Sequence, residues 1–173
     1  PQLDAPMTAL LESELRQHDI GIILGDGVAR FEPQEGHLRC HLNSGKALDA
    51  DLVILSIGVK PDTELARDAG LSLGPRGHIV VNEFMQTSDP DIYAGGDAVQ
   101  TADRVDSSPT NIPMGGPANR QGRVAADHML MPAKARPYPG SLGTAIVRGF
   151  AVAAGITGWS EKRLIAAGKP YQT

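Results

Sequence analysis

Apolar positions along this chain fall into three patterns, and each calls for a different element. Met7, Leu10, Leu11 and Leu15 are spaced by three, one and four, the stripe of an amphipathic helix over residues 4–18, with Asp4 placed to cap it and Pro6 in its first turn. Residues 20–24 form a continuous apolar run that stops at Gly25-Asp26-Gly27, which predicts a strand and then a turn. Polar and apolar positions then alternate through residues 28–31, 38–42 and 47–48. Turn-forming stretches at 33–36 and 43–45 separate them, so a meander of short strands is expected. Residues 51–58 are again unbroken and apolar up to Gly58, as for a strand buried on both faces of a parallel sheet. Pro61-Asp62-Thr63 opens a helix that Gly70 closes.

The second half is more broken. Residues 77–82 and 85–87 are short strand candidates, and Ile92, Tyr93 and Ala94, following Pro90, predict a brief buried strand. Gly95 and Gly96 remove side chains where the backbone leaves that strand, so a ligand can approach the main chain. Asp97 then stands just past the carboxyl end, where open α/β sheets bind ligands. Its carboxylate can accept hydrogen bonds from ligand hydroxyls, a sugar or polyol chain for instance, or it can simply cap a turn. A polar loop is expected over 100–108. The second half of 112–127 reads as a helix with Pro117 in its first turn, and the free amides before that proline make a positive end suited to a carbonyl or oxyanion. Residues 132–139 are a proline-rich linker, followed by strands within 145–153 and a helix over 160–167.

Composition narrows the partners. The 173 residues carry a net charge of -4, which provides no basic footprint for nucleic acid or membrane lipid and leaves small molecules or protein. No apolar run approaches the roughly eighteen residues of a spanning helix, and Pro1-Gln2-Leu3-Asp4 lacks the pattern of a signal peptide, so a cytoplasmic setting is expected. Cys40 is the only cysteine, which excludes an internal disulfide and any Cys-x-x-Cys redox pair. His37, Cys40 and His41 are close in sequence, but alternation puts Cys40 on the strand face opposite the two histidines, which argues against a metal site. The chain begins without methionine and is expected to be part of something longer.

The string Thr87-Ser88-Asp89-Pro90-Asp91-Ile92-Tyr93-Ala94-Gly95-Gly96-Asp97-Ala98 resembles the second flavin-binding motif of the FAD-dependent pyridine nucleotide-disulfide oxidoreductases. The resemblance implies that Asp97 holds a ribityl hydroxyl of FAD, with Gly96 beside it; the family usually has a larger apolar residue where Gly95 stands. Ser56-Ile57-Gly58-Val59-Lys60-Pro61-Asp62 resembles the segment that ends the family's nicotinamide domain, which implies that Gly58 approaches NAD(P)H; a structural glycine is the other reading. Met114, Gly115 and Gly116 inherit the helix start that faces the pyrimidine side of the flavin. The strings Gly116-Pro117-Ala118-Asn119-Arg120-Gln121-Gly122-Arg123 and Gly143-Thr144-Ala145-Ile146-Val147 are similar to the coenzyme A disulfide reductase and NADH oxidase branch. Arg120 and Arg123 then either pack against the carboxyl-terminal domain or touch substrate.

The implied fold is α/β: a partial FAD/NAD(P)-binding, Rossmann-like fold with a β-meander and the start of an α+β interface domain. The implied division is 1–59 for the second half of the NAD(P)-binding domain, 60–131 for the carboxyl-terminal part of the FAD domain, and 132–173 for a linker and the start of the dimerisation domain. The implied chemistry is hydride transfer from NAD(P)H through FAD to a small-molecule disulfide or to oxygen, in a homodimer. No Gly-x-Gly-x-x-Gly occurs, since Arg30 stands where the third glycine after Gly25 and Gly27 is needed. Both dinucleotide fingerprints and the family's redox cysteine are therefore expected upstream, and Cys40 in the meander does not replace the latter. The isolated chain is expected to be inert, to be colourless, and to cover the apolar edge at 52–57 with a second copy. The rival reading is a non-catalytic dimerisation or binding module.

Overall fold

The computed structural model describes residues 3–173. The first amphipathic stripe folds into helix α1, Ala5–Gln17, with Pro6 in its first turn. Asp4 sits at the N-cap position, but its carboxylate does not cap α1. It accepts instead the backbone N–H groups of Glu161 and Lys162, at 2.8 and 3.1 Å, in the first turn of the chain's last helix.

The alternating segment folds as an antiparallel meander of β1, Val28–Gln34, β2, His37–Leu42, and β3, Ala47–Ala50. Gln34 pairs with His37, leaving a two-residue turn in which Gly36 takes φ +79°, the left-handed value such hairpins need. Cys40 and Leu42 are buried on one face of β2. On the other face Arg39 makes a bidentate pair with Asp49, and His41 meets Glu32 at 2.7 Å. His41 thus meets a carboxylate directly, while His37 places Nδ1 3.1 Å from the Glu35 carbonyl and Nε2 3.7 Å from the Asp49 carboxylate, both rings on the face away from Cys40.

Two expected strands do not form. Residues 20–24 and 51–58 have no ladder partner among the described residues, and the second run stands in solvent, with Leu52, Ile54 and Ile57 at 76%, 81% and 90% exposure. An apolar run becomes a buried strand only when neighbouring strands satisfy its backbone and another layer covers its side chains. Neither is supplied to these two runs by the described residues, so hydrophobicity alone leaves them without regular structure.

After α2, Glu64–Asp68, strand β4, Ile79–Val80, runs parallel to β5, Val99–Ala102, which pairs antiparallel on its other side with β6, Pro109–Thr110. The expected polar loop at 100–108 thus begins as the central strand of a sheet. Pairing of Gln100 with Val80 on one side of the strand and of Thr101 with Thr110 on the other holds them there without apolar side chains. Residues 92–94 are likewise no buried strand. They form one arm of a tight hairpin, with Thr87 N–H donating to the Ile92 carbonyl at 2.9 Å and Ala94 N–H to the Met85 carbonyl at 3.0 Å. Met85 and Val99 are the most deeply buried apolar side chains here.

Helix α3, Gly115–Leu130, is followed by a segment that is less free than a linker, because Tyr138 is buried and its N–H donates to the Glu83 carbonyl at 2.7 Å. Strands β7, Ala145–Gly149, and β8, Val152–Ile156, form a hairpin, and α4, Glu161–Ala166, closes the chain. Helix α1 lies on that hairpin: Glu14 accepts the Ala151 N–H at 2.9 Å and His18 stacks on Phe150 with ring centres 3.6 Å apart. Buried Asp103 fastens the other side. Its carboxylate accepts from Val105 N–H at 2.9 Å, Trp159 Nε1 at 2.8 Å and Arg163 Nη2 at 2.7 Å, while Arg163 lies over the Trp159 ring. Among the described residues the result is mixed α/β, with three small sheets. No helix of the described residues is long and apolar enough to cross a membrane.

Candidate functional site

The hairpin of residues 85–94 delivers the chain into Gly95 and Gly96, and β5 begins two residues after Asp97. Gly96 takes φ +85°, a left-handed conformation that glycine adopts without steric cost. Its N–H donates to Gln121 Oε1 on α3 at 2.7 Å. A methyl placed on Gly95 would lie 3.4 Å from Gln121 Cβ, and one on Gly96 would lie 3.9 Å from Ala118 Cβ, so the turn rests against the first two turns of α3. On its far side Asn111 donates through Nδ2 to the carbonyls of Asp97, at 2.8 Å, and Val99, at 2.9 Å. Asp97 is exposed, and among the described residues nothing donates to its carboxylate.

Met114 is the extended N-cap of α3, at φ -144° and ψ 143°, and its carbonyl accepts the Ala118 N–H at 3.1 Å. Gly115 and Gly116 are the first two helical residues, exposed and without side chains, and their N–H groups are among those a helix start leaves unpaired. Pro117 comes next and has no N–H to orphan. The positive end of a sixteen-residue helix therefore presents two open donors beside a turn that presents an open carboxylate. Met114, Gly116 and Arg120 also line a cleft of about 280 Å³ whose far wall is the segment from Gly140 to Thr144, so Arg120 faces the carboxyl-terminal segment.

Five of the six residues picked out in the sequence, Gly96, Asp97, Met114, Gly115 and Gly116, thus lie along the amino-terminal half of α3 and the turn against it. Gly58 does not join them in any packed arrangement. It takes φ +97° within the exposed run, and a methyl placed on it would meet no atom within 4 Å. Two residues that sequence reasoning did not single out hold the site together, Asn111 and Gln121. Gln121 carries a usable signal: it falls three positions after Ala118, on the helix face that meets the turn, and is the one buried residue of α3. The arrangement contains no nucleophile and no acid–base pair. What it offers is an exposed carboxylate on one side and two unpaired helix-start N–H groups on the other.

Strand fragments, a glycine turn ending in a carboxylate, and a glycine-rich helix start define part of an α/β dinucleotide-binding protein. The chain belongs to the pyridine nucleotide-disulphide oxidoreductase family, whose profile matches residues 1–121. It is 34% identical over 170 residues to the CoA-dependent NAD(P)H sulfur oxidoreductase of Pyrococcus abyssi, covering 98% of this chain and 37% of that protein. It is 35% identical over 157 residues to the NADH oxidase of Enterococcus faecalis, covering 90% of this chain and 34% of that protein. Among solved structures, reduced CoADR-RHD of Bacillus anthracis superposes with a TM-score of 0.93 at 41% identity, covering 99% of this chain and 30% of that one. The chain therefore spans little more than a third of the length of the curated relatives it matches.

Proposed function

We propose that the protein to which this chain belongs is a flavoprotein oxidoreductase that passes hydride from NAD(P)H, by way of FAD, to a small-molecule disulfide of the coenzyme A disulfide class or to oxygen. The observation that carries this reading is the juxtaposition of the Gly95-Gly96-Asp97 turn with the start of α3. The fit to FAD is chemical. A carboxylate free of donors among the described residues suits a ribityl hydroxyl, and the unpaired N–H groups of Gly115 and Gly116, at a positive helix end, suit the flavin carbonyl where negative charge collects on reduction. FAD, when bound, supplies the two-electron chemistry. The residues present here orient: Asp97 fixes the ribityl chain, Gly95 and Gly96 let the cofactor approach the backbone, and Met114 to Gly116 steady the ring.

The names of the relatives support the two acceptor classes, sulfur compounds in one case and NADH oxidation in another. In this reading residues 1–59 complete the NAD(P)-binding domain, with Gly58 toward the nicotinamide; 60–131 complete the FAD domain; and 132–173 begin the dimerisation domain. A homodimer is the proposed assembly, favoured by the exposed apolar run at 52–57. The proposed compartment is the cytoplasm, in keeping with a chain that carries one thiol.

The test is flavin retention in the full-length protein. Loss of one charged hydrogen bond in Asp97→Ala should weaken FAD by about 1.5 to 3 kcal/mol, roughly tenfold to a hundredfold in Kd. A variant that holds FAD as tightly as wild type would remove Asp97 from the site.

A further inference from the structure

We infer that Gln121 is a positioning residue of this flavin site, acting through the Gly95-Gly96 turn to aim the Asp97 carboxylate at the ribityl chain. The inference rests on the reading of Asp97 just given. Gln121 is only 3% exposed, the one buried residue of α3. A core position that needed only volume would be filled as well by leucine or methionine, without the desolvation of an amide. What the amide does here is accept the Gly96 N–H at 2.7 Å.

That contact matters because glycine does not fix its own backbone. With no Cβ, Gly96 has little internal preference for φ +85°, and an outside acceptor must select that conformation. The glutamine stem also occupies the ground beside Gly95, where a methyl would come within 3.4 Å of Gln121 Cβ. Asp97 is the next residue, and Asn111 holds its carbonyl from the other side at 2.8 Å. The peptide that carries the carboxylate is thus pinned at both ends. Releasing the Gly96 end allows its peptide to rotate and displaces the carboxylate by more than the few tenths of an ångström a strong hydrogen bond tolerates.

The experiment uses full-length protein and two probes, FAD and ADP, the second standing for the adenine half of the cofactor, which Asp97 does not touch in this reading. Gln121→Met keeps the length of the side chain and removes the acceptor. It should raise the Kd for FAD about tenfold and leave the Kd for ADP within about twofold. In an Asp97→Asn background the same substitution should change FAD binding by less than about threefold, since the charged bond it positions is already gone. Unchanged FAD affinity in Gln121→Met, a parallel loss of ADP affinity, or a full tenfold effect in the Asp97→Asn background would each overturn the inference. If Gln121→Met does not fold, hydrogen exchange of the wild-type Gly96 amide decides: protection supports the contact, and exchange at the rate of an open loop removes it. Failure of Asp97→Asn to weaken FAD would sink the flavin-site reading itself, whereas a weakened Asp97→Asn beside an unaffected Gln121→Met would sink only the positioning role.

Discussion

Asp103→Ala should unfasten the carboxyl-terminal segment from the sheet. The side chain is 2% exposed, and its two oxygens take three donors from three places: Val105 N–H, Trp159 Nε1–H and Arg163 Nη2–H. Charge-assisted bonds of this kind contribute about 1.5 to 3 kcal/mol each. The Arg163 side chain is 46% exposed and rehydrates when its partner is removed, so its share falls to the roughly 1 kcal/mol of an exposed pair. Adding the lower figure for the other two donors gives a loss of about 4 kcal/mol. Asp103→Asn, which keeps an acceptor and loses the charge, should cost about half as much. The reporter is built in. Trp159 is the only tryptophan, so its fluorescence through a urea titration reads this corner of the molecule directly. A stability for Asp103→Ala within 0.5 kcal/mol of wild type, about the range of a surface substitution, would refute the reasoning, as would an unshifted emission maximum.

Gly140→Ala should lower the melting temperature, because Gly140 takes φ +81° and a methyl there would run into the Ala102 carbonyl oxygen; a destabilisation of about 2 kcal/mol or more is expected, and an unchanged melt would count against it. Asp26 accepts from the Ser44 hydroxyl at 2.5 Å and the Ser44 N–H at 3.0 Å, and the hydroxyl first holds its carboxyl below the ordinary carboxylate range. The folded value is the lower one, so this stabilisation is present above the unfolded pKa and is lost as pH falls below about 4. Asp26→Asn should therefore be less stable than wild type at pH 7, with the gap narrowing as pH falls below about 4; a gap that does not change with pH in denaturant titrations would refute the assignment.

What was legible in the sequence was whatever depends on near neighbours. The steps of three and four in α1 and the turn residues of the meander encode contacts within a few positions, and these elements fold where the pattern puts them, whereas the strands expected within 145–153 run on to Ile156, with Phe150 and Ala151 forming the turn between β7 and β8. The runs at 20–24 and 51–58 show the limit. Their composition is right for buried strands, but a strand depends on partners from elsewhere, and none of the described residues provides them. The site divides in the same way. Gly95, Gly96 and Asp97 are adjacent, and Met114 to Gly116 announce a helix start, so both halves could be read directly. Gln121 reaches Gly96 across twenty-five positions and Asn111 reaches Asp97 across fourteen, which no local pattern signals. Asp4 makes the point most sharply, because it stands where a cap of α1 belongs and caps a helix 157 positions away.

Asp97 and Asp103 flank β5 six residues apart, and the contrast between them indicates which carboxylate is open to a ligand. Asp103 is buried, and its oxygens are committed to the chain's own donors, one of them a guanidinium; bringing a ligand hydroxyl there would mean displacing bonds already made. Asp97 is exposed, its backbone is held by Asn111, and its carboxylate receives nothing from the described residues. Exposure alone is unremarkable for an aspartate, since most are solvated. The added information lies in the rigidity of its support. An aspartate that served only to keep a surface polar would not need a left-handed glycine before it, a buried glutamine beneath that glycine and an asparagine tied to its own carbonyl. Fixing the backbone beneath a side chain that makes no bond of its own among the described residues has a use when the partner comes from outside, because that part of the ordering precedes binding and the ligand does not have to offset it.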